Sequence, residues 1–419
     1  MALPFLAISD NQGNIYIHPY LRLAVKSWDR IFLPEKKDLI PIPEGTIFYS
    51  LPDRIAVGYN VKTGRFEDVA SLGGRQVWPL SCFLPPAYLR LYLPASRLKK
   101  QNYKKLPLWS YTAVGWYGGR FYAAAMRVDN RRRQSPRFYE NIGLEQKVSE
   151  KIKRYPQNRL YRHLATCALN YNCLAAKNLF LGRWEAPLPV SPVCNSRCLG
   201  CLSFQAKGSF CPSQQRIKFV PTPEEIVEVA VPHLEKAKEP IVSFGQGCEG
   251  EPLLQVAVIE KAIRLIRKKT CRGTIHINTN ASIPDFIKRL CSAGIDSIRV
   301  SLNSASEELY NCYFRPKNYS LKDVISSIKI SRQARVFVSI NLLVFPGFTD
   351  REHEVKGFLK LVKNTKINMV QLRNLNIDPD YYQNNMPELK GEILGLSAFV
   401  ELLIKSFPEV KTGYFNICV

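Results

Sequence analysis

Three cysteines, Cys194, Cys198 and Cys201, stand in the stretch PVCNSRCLGCLSFQ (192–205) with C-x3-C-x2-C spacing. Thiolates are ligands for soft metals, and a set this dense reads as a metal loop rather than a disulfide scaffold. Two fillings suit it. A structural zinc ion wants a closed tetrahedron, which Cys211, ten residues after Cys201, would complete. An iron–sulfur cube held by three thiolates leaves one iron open to another molecule.

Such a loop needs rigid elements to hold it. From about residue 186 the chain repeats strand, loop and helix. PLPVSPV runs into the cysteine loop. Then alternate PIVSFG, LLQVAVIEKAIRLIRKK, TIHINTN, IPDFIKRLCSAG, SIRVSLN, YSLKDVISSIKISRQ, ARVFVSINLLVF, HEVKGFLKLVKN and NMVQLRNLNI. Helix boundaries are marked. Thr222, Pro223 and Glu225 form a capping box with proline at the first helical position, Gly294 ends a helix, and Thr349 with Glu352 predicts a second box. About six βα units with right-handed crossovers predict an α/β fold, a partial (β/α)6 TIM-like barrel whose site lies at the C-terminal strand ends. The unusual residues collect there: the cysteine loop, GQGCEGEPLL (245–254), NTNAS (278–282), SLNS (301–304), FPGFTD (345–350) and QLRNLN (371–376). Packing explains apolar strand bodies; it does not explain polar groups gathered at one end of six strands.

Residues 188–376, carrying C-x3-C-x2-C and a G-G-E-P-like Glu249-Gly250-Glu251-Pro252, resemble the radical S-adenosylmethionine (radical SAM) superfamily, and the later NTNAS, SLNS and NLLVFPGFTD segments are similar to barrel strands of its molybdenum-cofactor and activase-like branch. The resemblance covers somewhat under half of the chain. It implies a radical SAM enzyme with two cofactors, a [4Fe-4S] cluster on Cys194, Cys198 and Cys201, and SAM on the open iron. Gly250 and Glu251 would sit by the methionyl amino group, Ser301 and Asn303 by the ribose or carboxylate, and backbone at Val344 and Leu372 beside the adenine. An electron donor would drive cleavage of SAM to methionine and a 5′-deoxyadenosyl radical. The chain departs from the family where an aromatic residue usually precedes the third cysteine: here stands Gly200, with Phe204 the candidate substitute. Cys248, in the second-strand motif, is a hydrogen-atom donor, a ligand of another centre, or a thiol packed in its turn. Cys312 is a weaker candidate of the same kind. Arg315 and Arg373 are candidate anchors for an anionic substrate group or barrel ion-pair partners.

Around this core, residues 1–135 read as a β-rich accessory domain with hairpin turns at KTGR (62–65) and WYGGRFY, residues 136–185 as a helical connector, and 377–419 as a helical tail. Cys167 and Cys173 of the connector read as small buried thiols, and His276 as a packed histidine within its strand. The remaining cysteines make no second compact motif, and neither a GxGxxG nor a P-loop is present. The apolar runs are too short to span a bilayer, the N-terminus lacks a secretory pattern, and the scattered thiols predict a cytoplasmic location. A net charge of +24, with basic runs at 97–105, 127–133 and 151–163, tilts the substrate expectation towards RNA. A protein or peptide substrate is the alternative, and a non-catalytic zinc-bearing RNA-binding protein the rival from another class.

Overall fold

The computed structural model describes residues 2–100, 102–131, 133, 135–139, 143–205 and 210–419. Gln101 and Arg132, members of two basic runs, lie outside the described residues. Among the described residues no helix is long and apolar enough to cross a membrane.

The N-terminal region folds into antiparallel sheet, the largest of eleven strands among the described residues. Both expected hairpins form. Arg54–Asn60 pairs with Arg65–Val69 across the KTGR turn. Thr112–Tyr117 pairs with Arg120–Arg127 through Gly118 and Gly119, at φ 56° and 82°. Two consecutive positive φ values make the tight hairpin turn that matches strand twist, and glycine adopts them without strain. Three connector helices follow, Leu144–Arg154, Arg159–Leu169 and Leu174–Phe180.

Seven strands then lie side by side in chain order, all parallel: Arg183–Pro187, Lys238–Phe244, Thr274–Thr279, Ser297–Leu302, Phe337–Val344, Met369–Asn374 and Lys411–Gly413. Sequential order in one curled sheet is the partial barrel expected, with two corrections. The first strand ends at Pro187, before most of PLPVSPV, because Pro189 has no N–H for a ladder. The 377–419 segment is not all helix: after helices Pro379–Asn384 and Leu396–Ser406 it adds the seventh strand.

The register divides each strand into two faces. Val242, Phe244, Ile275, Ile277, Ile298, Val300, Val338, Ile340, Val370 and Leu372 pack with the helices in one apolar core. The alternate residues therefore line the lumen. Helix ends follow the marked signals at Thr222, with its reciprocal bonds to Glu225, and at left-handed Gly294. The box at Thr349 does not form: helix Glu352–Thr365 starts after Arg351, and the Thr349 hydroxyl instead accepts from Phe345 N–H at 3.0 Å, closing the preceding turn.

The N-terminal β-rich region packs on the C-terminal ends of the fifth and sixth strands. Trp28 packs against Phe345, Phe348 and Tyr382, and its N–H donates to the Pro346 carbonyl. Arg90 N–H donates to Asn374 Oδ1 at 2.8 Å. The chain's last residues cross the opposite end, where Val419 N–H meets Thr274 Oγ1 at 2.8 Å.

Candidate functional site

The cysteine loop is clamped from two sides. Glu249 Oε2 accepts from the N–H groups of Val190 and Ser191 at 2.8 and 2.9 Å. Gly250 N–H donates to Ser191 O and Glu251 N–H to Val193 O, at 2.7 and 2.9 Å. A Cβ on Gly250 would stand 1.9 Å from the Val193 oxygen, so the two segments approach as closely as glycine permits. Across the loop, Leu199 N–H bonds Tyr313 O, Arg197 N–H bonds Phe314 O and Lys317 N–H bonds Asn195 O. From NTNAS, Asn280 Nδ2 donates to Asn195 Oδ1 and Ser196 Oγ. The second- and third-strand ends and the end of helix Glu307–Phe314 thus converge on one loop.

Glu251 is buried and committed. Its oxygens accept from Leu253 N–H (3.1 Å), the Thr279 hydroxyl (2.5 Å) and Asn280 N–H (2.8 Å). Burial nevertheless raises its carboxyl, and that of Glu249, to about 7.

Cys194, Cys198 and Cys201 are half-buried, and burial pushes the first thiol up to about 11 and the second well up. Arg216 Nη2 stands 3.6 Å from Cys201 Sγ. The three sulfurs are not mutually within 4.8 Å, a condition that only His163, Cys167 and Cys248 meet among the described residues. Zinc bonds of about 2.3 Å would hold thiolates about 3.8 Å apart. Cys211 is exposed, its thiol on the Pro212 carbonyl at 3.7 Å. The donor set therefore fits a multi-iron cluster better than one closed zinc ion.

Tyr313 answers the question raised by Gly200. Its hydroxyl lies 3.0 Å from where a Gly200 Cβ would be, so the missing aromatic at 200 is matched by one from helix Glu307–Phe314. Phe204 is 55% exposed, under the Arg216 guanidinium. Ser301 is on the lumen row, opposite Asn341. Asn303 Nδ2 donates to Leu309 O, while its Oδ1 is buried and unpaired among the described residues. The Val344 and Leu372 side chains belong to the helix-side core, leaving backbone to the site. Cys248 is buried, its thiol beside Cys167 and His163. Cys312 is half-buried on its helix, and Arg315 is exposed and bonds Asn385.

Beyond Ser301, Arg373, His276 and the strand-end residues Asn278 and Gln371, the lumen carries polar residues that the sequence analysis does not single out. Glu185, Ser243, His276, Asn278, Ser297, Arg299, Ser301, Ser339, Asn341, Gln371 and Arg373 form a polar wall. Asn416 ties its ends, donating to Glu185 Oε1 at 2.9 Å and accepting from Gln371 Nε2 at 2.8 Å. Arg299 donates to Gln371 at 2.9 Å, but its Nε is buried without a partner among the described residues. Burial lowers its guanidinium to about 9, helped by nearby Arg373. The signal was present: parallel barrel strands usually read as continuous apolar runs, and these alternate.

Residues 188–359 match the family model described as the radical SAM superfamily. The FeMo cofactor biosynthesis protein NifB of Klebsiella pneumoniae is 27% identical over 39% of this chain and 37% of its own length. The GTP 3',8-cyclase of Aquifex aeolicus is 27% identical over 46% of this chain and 58% of its own. A crystal structure of a radical SAM methyltransferase from Sphaerobacter thermophilus aligns at 13% identity over 56% of this chain and 66% of that one, with TM-score 0.40.

Proposed function

Residues 188–359 being a radical SAM domain, we propose that the chain is an enzyme that cleaves SAM reductively and uses the radical on a phosphate-bearing substrate, an RNA. The observation that carries the first half is the convergence of two strand ends and the end of helix Glu307–Phe314 on the loop of Cys194, Cys198 and Cys201. These thiolates would hold the [4Fe-4S] cluster. When bound, the cluster supplies the electron that breaks a sulfur–carbon bond of SAM, giving methionine and a 5′-deoxyadenosyl radical.

The chain's own part is orientation and exclusion of water. Glu249 and Glu251 fix the second-strand loop against the cysteine loop and the third-strand end. Arg216 Nη2 donates towards Cys201 Sγ at 3.6 Å. Ser301, high on the lumen row, is available to a SAM hydroxyl or carboxylate. The N-terminal domain covers the fifth and sixth strand ends, shielding that side of the mouth.

Arg299 and Arg373 favour an anionic substrate, since a guanidinium grips phosphate through paired donors. The +24 charge favours a large polyanion, and the cyclase relative's named nucleotide is consistent with the class. Twelve free cysteines suit a reducing, cytoplasmic setting.

The test is anaerobic purification, iron–sulfide reconstitution, and incubation with SAM and dithionite, followed by chromatography for 5′-deoxyadenosine. Wild type is expected to form it and Cys198→Ala to form none. A reconstituted chain that holds no iron–sulfur cluster and forms no product would end the enzyme reading.

A further inference from the structure

A second group of soft ligands lies behind the second-strand loop. His163 and Cys167 are one turn apart on the connector helix Arg159–Leu169, so they share a face. Cys248 reaches them from the loop after the second barrel strand, 81 residues further along. Their ligand atoms all lie within 4.8 Å of one another, with His163 Nε2 3.6 Å from Cys167 Sγ. That separation equals the tetrahedral edge, about 3.6 Å, between ligands at Zn–S about 2.3 Å and Zn–N about 2.1 Å. Both cysteines are buried, at 1% and 4% exposure. His163 also lines a cavity of about 430 Å³ with Thr166, Tyr171, Arg216 and Lys218, which provides the entry path a metal site needs.

We propose that His163, Cys167 and Cys248 bind a thiophilic divalent ion of the zinc or iron(II) class, with the fourth coordination position open to this cavity. The site is separate from the C-x3-C-x2-C loop and needs none of its cysteines. Soft thiolates with one imidazole select such ions over calcium or magnesium. The ion would pin the connector helix to the loop that carries Glu249 and Glu251, coupling the connector to the barrel's active end. A hydrogen bond between a thiol and the imidazole, with the second thiol merely packed beside it, is the competing account.

Cobalt(II) is the probe, added under reducing, anaerobic conditions to the full chain bearing Cys194→Ala, Cys198→Ala and Cys201→Ala. The expected result is one tightly held cobalt per chain, with thiolate charge-transfer absorption and the intense visible bands of tetrahedral cobalt, displaced by zinc. In the same background Cys167→Ala should lose the charge-transfer band. His163→Ala, at a half-buried position that leaves the apolar core intact, should change the visible bands while circular dichroism stays that of the parent. Absence of thiolate absorption in folded protein would overturn the proposal. So would bands indifferent to both substitutions, or a Cys167–Cys248 disulfide in the protein handled under reductant.

Discussion

Arg54 of the N-terminal β-sheet region is buried against Asp378, which follows the sixth barrel strand: Nη2 stands 2.8 and 3.0 Å from the two carboxylate oxygens. Its Nε reaches Asp380 at 3.0 Å, and both Arg54 and Asp378 side chains are essentially inaccessible to water. Removing one partner of such a pair strands a buried charge, which costs about 3–5 kcal/mol. Arg54→Ala is therefore expected to lower unfolding stability by that order, read as a shift in the urea midpoint. A shift under about 1 kcal/mol would mean that the seam re-solvates and the N-terminal sheet is not held to the barrel through this contact.

Gly250→Ala tests the clamp on the cysteine loop. The added methyl meets Val193 O at 1.9 Å and the Val193 carbonyl carbon at 2.5 Å. Both are backbone, so the loop itself must move. The variant is expected to fold, to retain at most about a tenth of wild-type 5′-deoxyadenosine formation, and to bind less iron after reconstitution. Full iron content with full activity would show that the loop tolerates displacement.

His276 makes the lumen pH-sensitive. Asn278 Nδ2 donates to the carbonyls of Phe244 and Gly245, which turns Asn278 Oδ1 towards His276 Nε2 at 2.9 Å. Nε2 therefore carries the hydrogen, and Nδ1 accepts from the Ser297 hydroxyl at 2.6 Å. Burial lowers the imidazole to about 4; Glu185 opposes this and Arg299 reinforces it. The unfolded chain titrates near 6.5. Between those values the unfolded state holds a proton that the native state lacks, so stability falls as pH drops from about 6.5 to 4. The contribution approaches about 3 kcal/mol at the acid end. His276→Asn should lose less stability than wild type across that window, measured by chemical denaturation at several pH values. Parallel curves for the two proteins would contradict a neutral, buried His276.

What the sequence made legible was local. The C-x3-C-x2-C loop, the Glu249–Pro252 motif and the Thr222 capping box depend on residues a few positions apart, and each sits where its spacing predicted. The polar lumen also had a local signal, the i, i+2 recurrence of His276 and Asn278, or Gln371 and Arg373. It was passed over because the strand bodies were read as uniformly apolar. Other features were settled by tertiary contact. Tyr313 fills the space at Gly200 from more than a hundred residues away. Lys411–Gly413 is a strand only because Met369–Asn374 offers it a free edge. Cys167 meets Cys248 through the packing of the connector helix on the barrel.

The substrate class can be separated from its alternative by salt. Arg162 and Lys218 stand at the rim of the cavity beside Arg216, on the surface that adjoins the cysteine loop. A protein that neutralises phosphates releases condensed counterions, so affinity falls as a power of salt concentration. If an RNA docks here through about six phosphates, binding of a single-stranded RNA oligonucleotide should weaken by about 300-fold between 50 and 200 mM salt. Arg162→Glu with Lys218→Glu should weaken it further and flatten the slope by about two phosphates. Neither residue touches the loop thiols in the hydrogen-bond network, so SAM cleavage without RNA should survive the double change. Binding that is flat in salt, or that is unaltered in the double variant, would remove RNA from this face and leave a peptide as the substrate to seek.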